Sequence, residues 1–343
     1  MAVGQNRSVA DGFTWRDGER LIRFGEGVLA EAPGLLHEHG LHPYSLLTTP
    51  RTAGVAPELA EGAETVLHVP RGRVDEISAE LLPRAGGRPL VALGGGRVID
   101  TAKAITGASD TRCVAIPTTL SGAPMTPFHR LPAGAANAAW VRPALVIAEP
   151  ALMTSQPPTQ RTASAMNALA HAMESLYAPL ANPVAELAAL RAAELFAEGV
   201  PRDDPALEDL AVAALLAGYA VGTTGLAVHH ATCQTIVRVC GASHAETNAV
   251  MLPHSARLMA TRAPGPMGAF ARALGDRAGD PAAAAGGVAR LAARSGHTRL
   301  STLGVEEEQL TQVVEALMQH PGVAATPDPP DGDELLELLR GAL

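Results

Sequence analysis

The 343 residues carry 26 basic and 35 acidic side chains, a net charge of −9, with 47% apolar and 3% aromatic residues. A chain of this length suits two domains, and cores so poor in rings must rest on closely packed Ala, Leu and Val. The acidic balance, with no Lys/Arg-rich run, argues against nucleic acid; the lack of an apolar leader or a membrane-length apolar run predicts a cytoplasmic protein with no membrane partner.

Five short β-rich runs come first: Tyr44 to Thr48, Thr65 to Val69, Pro89 to Leu93, Cys113 to Ile116 and Leu145 to Ala148. Their apolar residues stand side by side instead of alternating, which predicts strands buried on both faces of a parallel sheet. Val74 to Leu82 has helical periodicity and fits a crossover between strands. From about Ala151 the texture changes to long Ala/Leu/Glu stretches, Ala185 to Gly199, Leu207 to Val221 and Ala284 to Ser295, with a loop at Ala325 to Asp333 and a closing helix at Glu334 to Arg340. The boundary is placed at the Ser155-Gln156-Pro157-Pro158 turn, giving an α/β domain over 1–155 and an all-helical domain over 156–343. Cys113, Cys233 and Cys240 lack C-x-x-C spacing and predict neither a disulfide framework nor a structural zinc.

Three segments carry residues suited to chemistry. Gly94-Gly95-Gly96-Arg97 leaves a buried strand and enters a helix that continues through Asp100 and Lys103, the only lysine of the chain. Glycines there let the backbone approach a phosphate, although the same residues also suit a turn that binds nothing. Thr118, Thr119 and Ser121 follow the next strand on the same predicted edge and offer hydroxyls to a diphosphate or ribose, or serve simply as turn residues. In the helical half, Asn167 and His171 stand four apart and share a helix face; His229, His230, His244 and His254 follow. Several histidines in one domain suggest a metal or proton-transfer site, while each alone suits a packed core position.

Taken in order, Gly94-Gly95-Gly96 with Asp100 and Lys103, the Pro117-Thr118-Thr119 loop, the His171 helix, His230 and His244 resemble the iron-containing alcohol dehydrogenase superfamily. Met166 to Glu174 and His244-Ala245-Glu246-Thr247 look closest to the maleylacetate reductases, and Phe24-Gly25-Glu26-Gly27 and Pro327 to Leu343 extend the likeness over nearly the whole chain. The resemblance implies a dehydroquinate synthase-like fold: an N-terminal Rossmann-like α/β domain, an all-α C-terminal domain, NADH or NADPH in the cleft between them, and a homodimer. Cofactor contacts fall on Gly94, Gly95, Gly96, Arg97, Asp100, Thr118, Thr119 and Ser121. The family's metal ligands, an Asp and three His, fall on Asn167, His171, His230 and His244. Maleylacetate reductases also carry Asn at the first of these places and are regarded as metal-free, so no metal is expected here; if one binds, His171, His230 and His244 hold it.

Several positions depart from the family pattern. Arg97 replaces a Ser, Gly122-Ala123-Pro124 replaces Gly-Ser-Glu, Glu149-Pro150 replaces Asp-Pro, and Ala133 to Ala139 lacks an expected lysine. Gln234 and Asn248 stand where histidines are expected. The leading reading is an NAD(P)H-dependent reductase of a small unsaturated oxo-acid or related carbonyl compound, with Asn167, His171, His230, His244 and Gln234 at its reacting centre. The alternative is a lyase, isomerase or cyclase of a specialised pathway that keeps the fold without hydride transfer. A binding protein with a decayed site is the third.

Overall fold

A computed structural model describes residues 12–135 and 138–343. Ala136 and Asn137, which fall in the lysine-free stretch Ala133 to Ala139, lie outside the described residues, as do residues 1–11. The chain divides after Ser155 into two compact units.

The first unit is built on a seven-stranded sheet in the order β1-β2-β7-β6-β5-β3-β4. Its strands are β1 (Phe13–Asp17), β2 (Arg20–Phe24), β3 (Ser45–Thr48), β4 (Thr65–His68), β5 (Leu90–Gly94), β6 (Cys113–Pro117) and β7 (Leu145–Ala148), with helices α1 (Ala32–Glu38), α2 (Pro50–Ala53), α3 (Pro57–Glu61), α4 (Val74–Leu81), α5 (Gly96–Ser109) and α6 (Pro150–Met153). The five expected strands pair in parallel and β3, β5, β6 and β7 are buried throughout. Alternate residues feed two separate cores: Val91 and Leu93 pack into one, Leu90 and Ala92 into the other. This two-sided burial is the reason these strands read as unbroken apolar runs.

The structure adds two strands: β2 extends the parallel set beside β7, and β1 pairs antiparallel with β2. The alternating exposure along β1 marks an edge strand, and Gly18 turns the hairpin in the left-handed region at φ 59°. β1 is half-solvated, and Arg20 and Arg23 interrupt the buried apolar residues of β2, so neither carries the unbroken apolar run of the other strands.

The register sets the geometry of the edge that matters. Gly94 pairs with Pro117 at the ends of β5 and β6, and the Thr118 N–H donates to the Gly94 carbonyl at 3.0 Å. The loop beyond β6 is then anchored from below by Lys103 of α5, which is fully buried. Its ammonium lies 2.8 Å from Asp100 Oδ1 and donates to the carbonyls of Ala123 (3.2 Å), Thr126 (3.1 Å) and Phe128 (2.8 Å).

The second unit is helical among its described residues: α7 (Pro158–Ser175), α8 (Pro183–Gly199), α9 (Leu207–Thr224), α10 (Val228–Cys240), α11 (His244–Arg262), α12 (Pro264–Ala273), α13 (Ala283–Ala292), α14 (Leu310–Met318), α15 (Pro321–Ala324) and α16 (Gly332–Ala342). Helix α7 is buried from Thr162 to Ser175 and packs against α8, α9 and α11. Its Ala-rich sequence permits that close approach on all sides. Asn182 caps α8 by accepting from the Val184 and Ala185 N–H groups, and the Asp331/Glu334 capping box starts α16. Helix α9 is long and apolar enough to cross a membrane by composition, yet it packs along α7 and α8 as a core helix.

Lys103→Met is expected to destabilise the protein by about 3 kcal/mol, because it strands Asp100 and three carbonyls without their cation. Urea unfolding measures this; a loss under about 1 kcal/mol would show that the loop does not depend on the ammonium.

Candidate active site

Helix α10 begins at Val228 with no side-chain cap from its own N-cap residue, Ala227. Its first N–H groups are satisfied instead from elsewhere in the fold. Thr326 Oγ1 accepts from the Val228 N–H at 2.9 Å, and Glu174, at the end of α7, accepts from the His230 N–H at 3.2 Å. Main-chain bonds from Ala227 and His229 also favour the Glu174 carboxylate. Glu174 has no exposed surface; burial pushes its carboxyl above the usual range, while His229 and these N–H groups pull it back. A buried carboxylate at the positive end of a helix is the arrangement that tolerates such a charge best.

The same carboxylate lies 2.7 Å from His230 Nδ1. With the main-chain amides holding Glu174 as the anion, Nδ1 carries the proton and Nε2 keeps its lone pair. Nε2 is buried with no hydrogen-bond partner among the described residues. The His171 ring lies nearly parallel to that of His230, centroids 4.5 Å apart and planes 13° apart. Burial, reinforced by His244, lowers the His230 pKa to about 3, so its imidazole is neutral at working pH.

A second chain of bonds reaches His244. Asn248 Nδ2 must donate to the His244 carbonyl at 2.8 Å, because that oxygen can only accept. Asn248 Oδ1 therefore accepts from the His229 Nε2–H at 3.0 Å, leaving His229 Nδ1 to accept from Ser255 Oγ at 2.9 Å. Asn248 Nδ2 also lies 3.4 Å from His244 Nε2, which orients that nitrogen as an acceptor and leaves the proton on Nδ1. Burial, with His230 acting in the same direction, lowers His229 to about 3. His244 itself is exposed at the first turn of α11.

Asn167 and His171 lie one turn apart on α7, and Gln234, half-buried, lies one turn after His230 on α10. His254 stands apart from the group, beside Gly341 of α16. The His229-His230 doublet separates roles that the sequence left together, since neighbours on a helix point about 100° apart. His229 turns toward Cys233, Asn248 and Ser255 and is a positioning residue, while His230 faces Glu174 and His171. Glu174 and Ser255 are the site residues that the sequence reading did not assign. The available signal was Glu174 ending an apolar helix where a charge has no solvent.

In the first unit, Gly95 precedes α5 in extended geometry and the first N–H groups of this helix lie beyond reach of intrahelical acceptors. The loop packs against the one after β6 so closely that a Cβ at Gly95 would sit 2.9 Å from Thr119 Cγ2, and one at Gly96 would sit 3.1 Å from Ser121 Oγ. Thr119 Oγ1 is buried without a hydrogen-bond partner among the described residues. Amides at a helix start, a backbone stripped of Cβ atoms and an unpaired hydroxyl fit a diphosphate. Arg97 stands exposed at the entry of α5, where burial of its stem and the charge of Arg71 hold its pKa below the usual value. Asp100 is engaged by Lys103, so its part in this site is to hold the loops.

The histidines do not fit a resident metal as they stand. Among the described residues no three His, Cys, Asp or Glu side chains gather closely enough to hold one, and the fourth family position is a neutral amide, Asn167, a poorer ligand for Zn²⁺ or Fe²⁺ than a carboxylate.

A nucleotide-binding α/β unit followed by a helical unit with clustered histidines defines a class of nicotinamide-dependent oxidoreductases. The iron-containing alcohol dehydrogenase profile matches residues 20–150, and that of the Fe-containing alcohol dehydrogenase family, C-terminal, matches 161–343. Maleylacetate reductase 2 of Cupriavidus pinatubonensis is 35% identical over 273 residues, 74% of this chain and 76% of that protein. Maleylacetate reductase of Pseudomonas aeruginosa is 32% identical over 342 residues, 94% and 95% of the two chains. The crystal structure of maleylacetate reductase from Agrobacterium tumefaciens superposes with a TM-score of 0.82 at 29% identity, covering 96% of this chain and 97% of that one. The chain belongs to the iron-containing alcohol dehydrogenase family, and is an NAD(P)H-dependent reductase within it.

The two buried histidines make stability depend on pH. With folded values of about 3 against an ordinary 6.5, the unfolded chain takes up protons below pH 6.5 that the folded chain refuses until about pH 3. Stability is therefore fully present above pH 6.5 and falls as the pH is lowered; Glu174, shifted upward, offsets part of the loss. A drop of about 2 kcal/mol or more between pH 6.5 and about pH 4.5 is expected in urea unfolding, and His230→Asn should reduce it. A flat profile would mean the two rings are not buried neutral.

Proposed function

We propose that the protein reduces a small unsaturated oxo-acid of the maleylacetate type, taking hydride from NADH or NADPH bound at Gly94, Gly95, Gly96, Arg97, Thr118, Thr119 and Ser121. The observation that carries this reading is the Glu174-His230 pair with its open Nε2, set against His171. Hydride addition to a conjugated or carbonyl carbon leaves negative charge on oxygen, which needs a donor and then a proton. His244, exposed and holding its proton on Nδ1, suits that task. His230, neutral and fixed by Glu174, accepts from a substrate hydroxyl or from a donor beside it; His171, Asn167 and Gln234 orient the acid. The nicotinamide supplies the hydride, and the protein residues supply binding, orientation and the proton.

The site works without a metal in this reading, because Asn167 removes the anionic ligand of the family set. The three free cysteines, two of them buried, suit the reducing cytoplasm. A homodimer is proposed from the family likeness and from edge strand β1, which is paired on one side only among the described residues.

Titration with NADH and NADPH should quench or shift nicotinamide fluorescence, and maleylacetate should be reduced with consumption of the cofactor. His244→Ala is expected to lower kcat by about 100-fold or more while leaving cofactor binding unchanged. Protein purified without added metal, and protein treated with a chelator, should retain full activity. Stoichiometric Zn or Fe with loss of activity on chelation would overturn the metal-free reading. Turnover of a candidate substrate with no nicotinamide change would favour a lyase or isomerase instead. Light scattering on the purified protein tests the dimer.

A further inference from the structure

Away from the histidines, the second unit has a cavity of about 360 Å³ walled by the first turns of α7, the end of α8 and the start of α9. That is room for about a dozen waters, or for a small metabolite, and too little for a dinucleotide. Its lining is unusual in charge: Arg161, Arg202 and Arg294 all reach it, against the single carboxylate of Asp203. Asp203 is paired with Arg294 at 2.9 Å and is itself fully exposed. The Arg161 and Arg202 guanidiniums have no partner among the described residues. Like charges brought together around a concavity repel, and in a chain of net charge −9 nearby carboxylates were plentiful enough to neutralise them.

Two further features point the same way. The N-terminus of α7, an 18-residue helix, reaches the cavity at Pro158 with no side-chain cap, so its dipole adds to the positive field. Thr162 also lines the cavity; its side chain is 8% exposed and its hydroxyl has no partner among the described residues. Gly199 lets the end of α8 close over α9 here, since a Cβ would sit 2.8 Å from Leu210 Cδ2. Forked guanidiniums and a hydroxyl, within the positive field of a helix start, make up a donor set that recognises a phosphate group.

We infer that this cavity is a binding site for a small phosphate-bearing molecule, separate from the nucleotide loop and from the histidine site. The ligand places its phosphate between Arg161 and Arg202, accepts from Thr162, and has its remaining part against Leu210. The site does not depend on the reductase reading, because none of its residues takes part in that chemistry.

Calorimetric titration of the full-length protein with inorganic phosphate, pyrophosphate and citrate, at constant ionic strength, tests it. Saturable binding of phosphate or pyrophosphate is expected, weakened by about tenfold or more in Arg161→Ala/Arg202→Ala and retained in Arg97→Ala. Thr162→Val, which keeps the shape and removes the hydroxyl, should weaken it too and serves if the double variant does not fold. Three results would overturn the inference: no saturable heat, loss of binding in Arg97→Ala with retention in the Arg161/Arg202 variant, or binding of citrate alone, which assigns the site to carboxylates.

Discussion

A carboxylate with no exposed surface organises the helical unit. Glu174 sits where α7 ends, accepts from the main chain where α10 begins, and holds the His230 ring by its Nδ1. A lone buried charge would be very costly; the bonds from the helix start and the ring are what make it tolerable. The cost runs in both directions. His230 cannot rotate or change tautomer without stranding Glu174, and Glu174 cannot move without uncapping α10. The open Nε2 is therefore a fixed feature of the fold and not a side chain that happens to point inward.

The first unit solves a similar problem with the opposite sign. Lys103 is a buried cation enclosed by Asp100 and the carbonyls of a loop that has little regular structure of its own. The loop carries Thr119 and Ser121 against the glycines, so the precision of the proposed diphosphate site is inherited from an ammonium beneath it. In both units a helix N-terminus is central. In α10 an internal carboxylate satisfies it, whereas in α5 the corresponding groups are left for a ligand.

How much was legible in the sequence follows from the same physics. The five parallel strands and the long helices were readable because burial on two faces writes unbroken apolar runs and Ala-rich packing writes helical ones. The β1-β2 hairpin was not, because an edge strand with exposed Thr14 and Arg16 has no such signature. His171, His230 and His244 could be picked out by order and spacing. The division of labour between His229 and His230 could not, since it depends on Ser255 and Asn248 from another helix. Lys103 stood out as the only lysine, but nothing local shows that three residues of a distant loop, Ala123, Thr126 and Phe128, close around it.

The amides at Asn167, Gln234 and Asn248 have a common consequence. Each stands where the family pattern has an ionisable side chain, and each keeps hydrogen-bonding capacity while removing a charge or a titration. At Asn248 the linking side chain itself does not titrate: an amide donates and accepts at fixed atoms, where an imidazole would change roles with its proton. At Asn167 the effect is electrostatic. An aspartate there without a metal would add a second buried anion on α7, two turns before Glu174, and oppose an acidic substrate. Replacing it with Asn is therefore not simply the loss of a ligand. It also removes a buried charge that only a bound cation would have made acceptable.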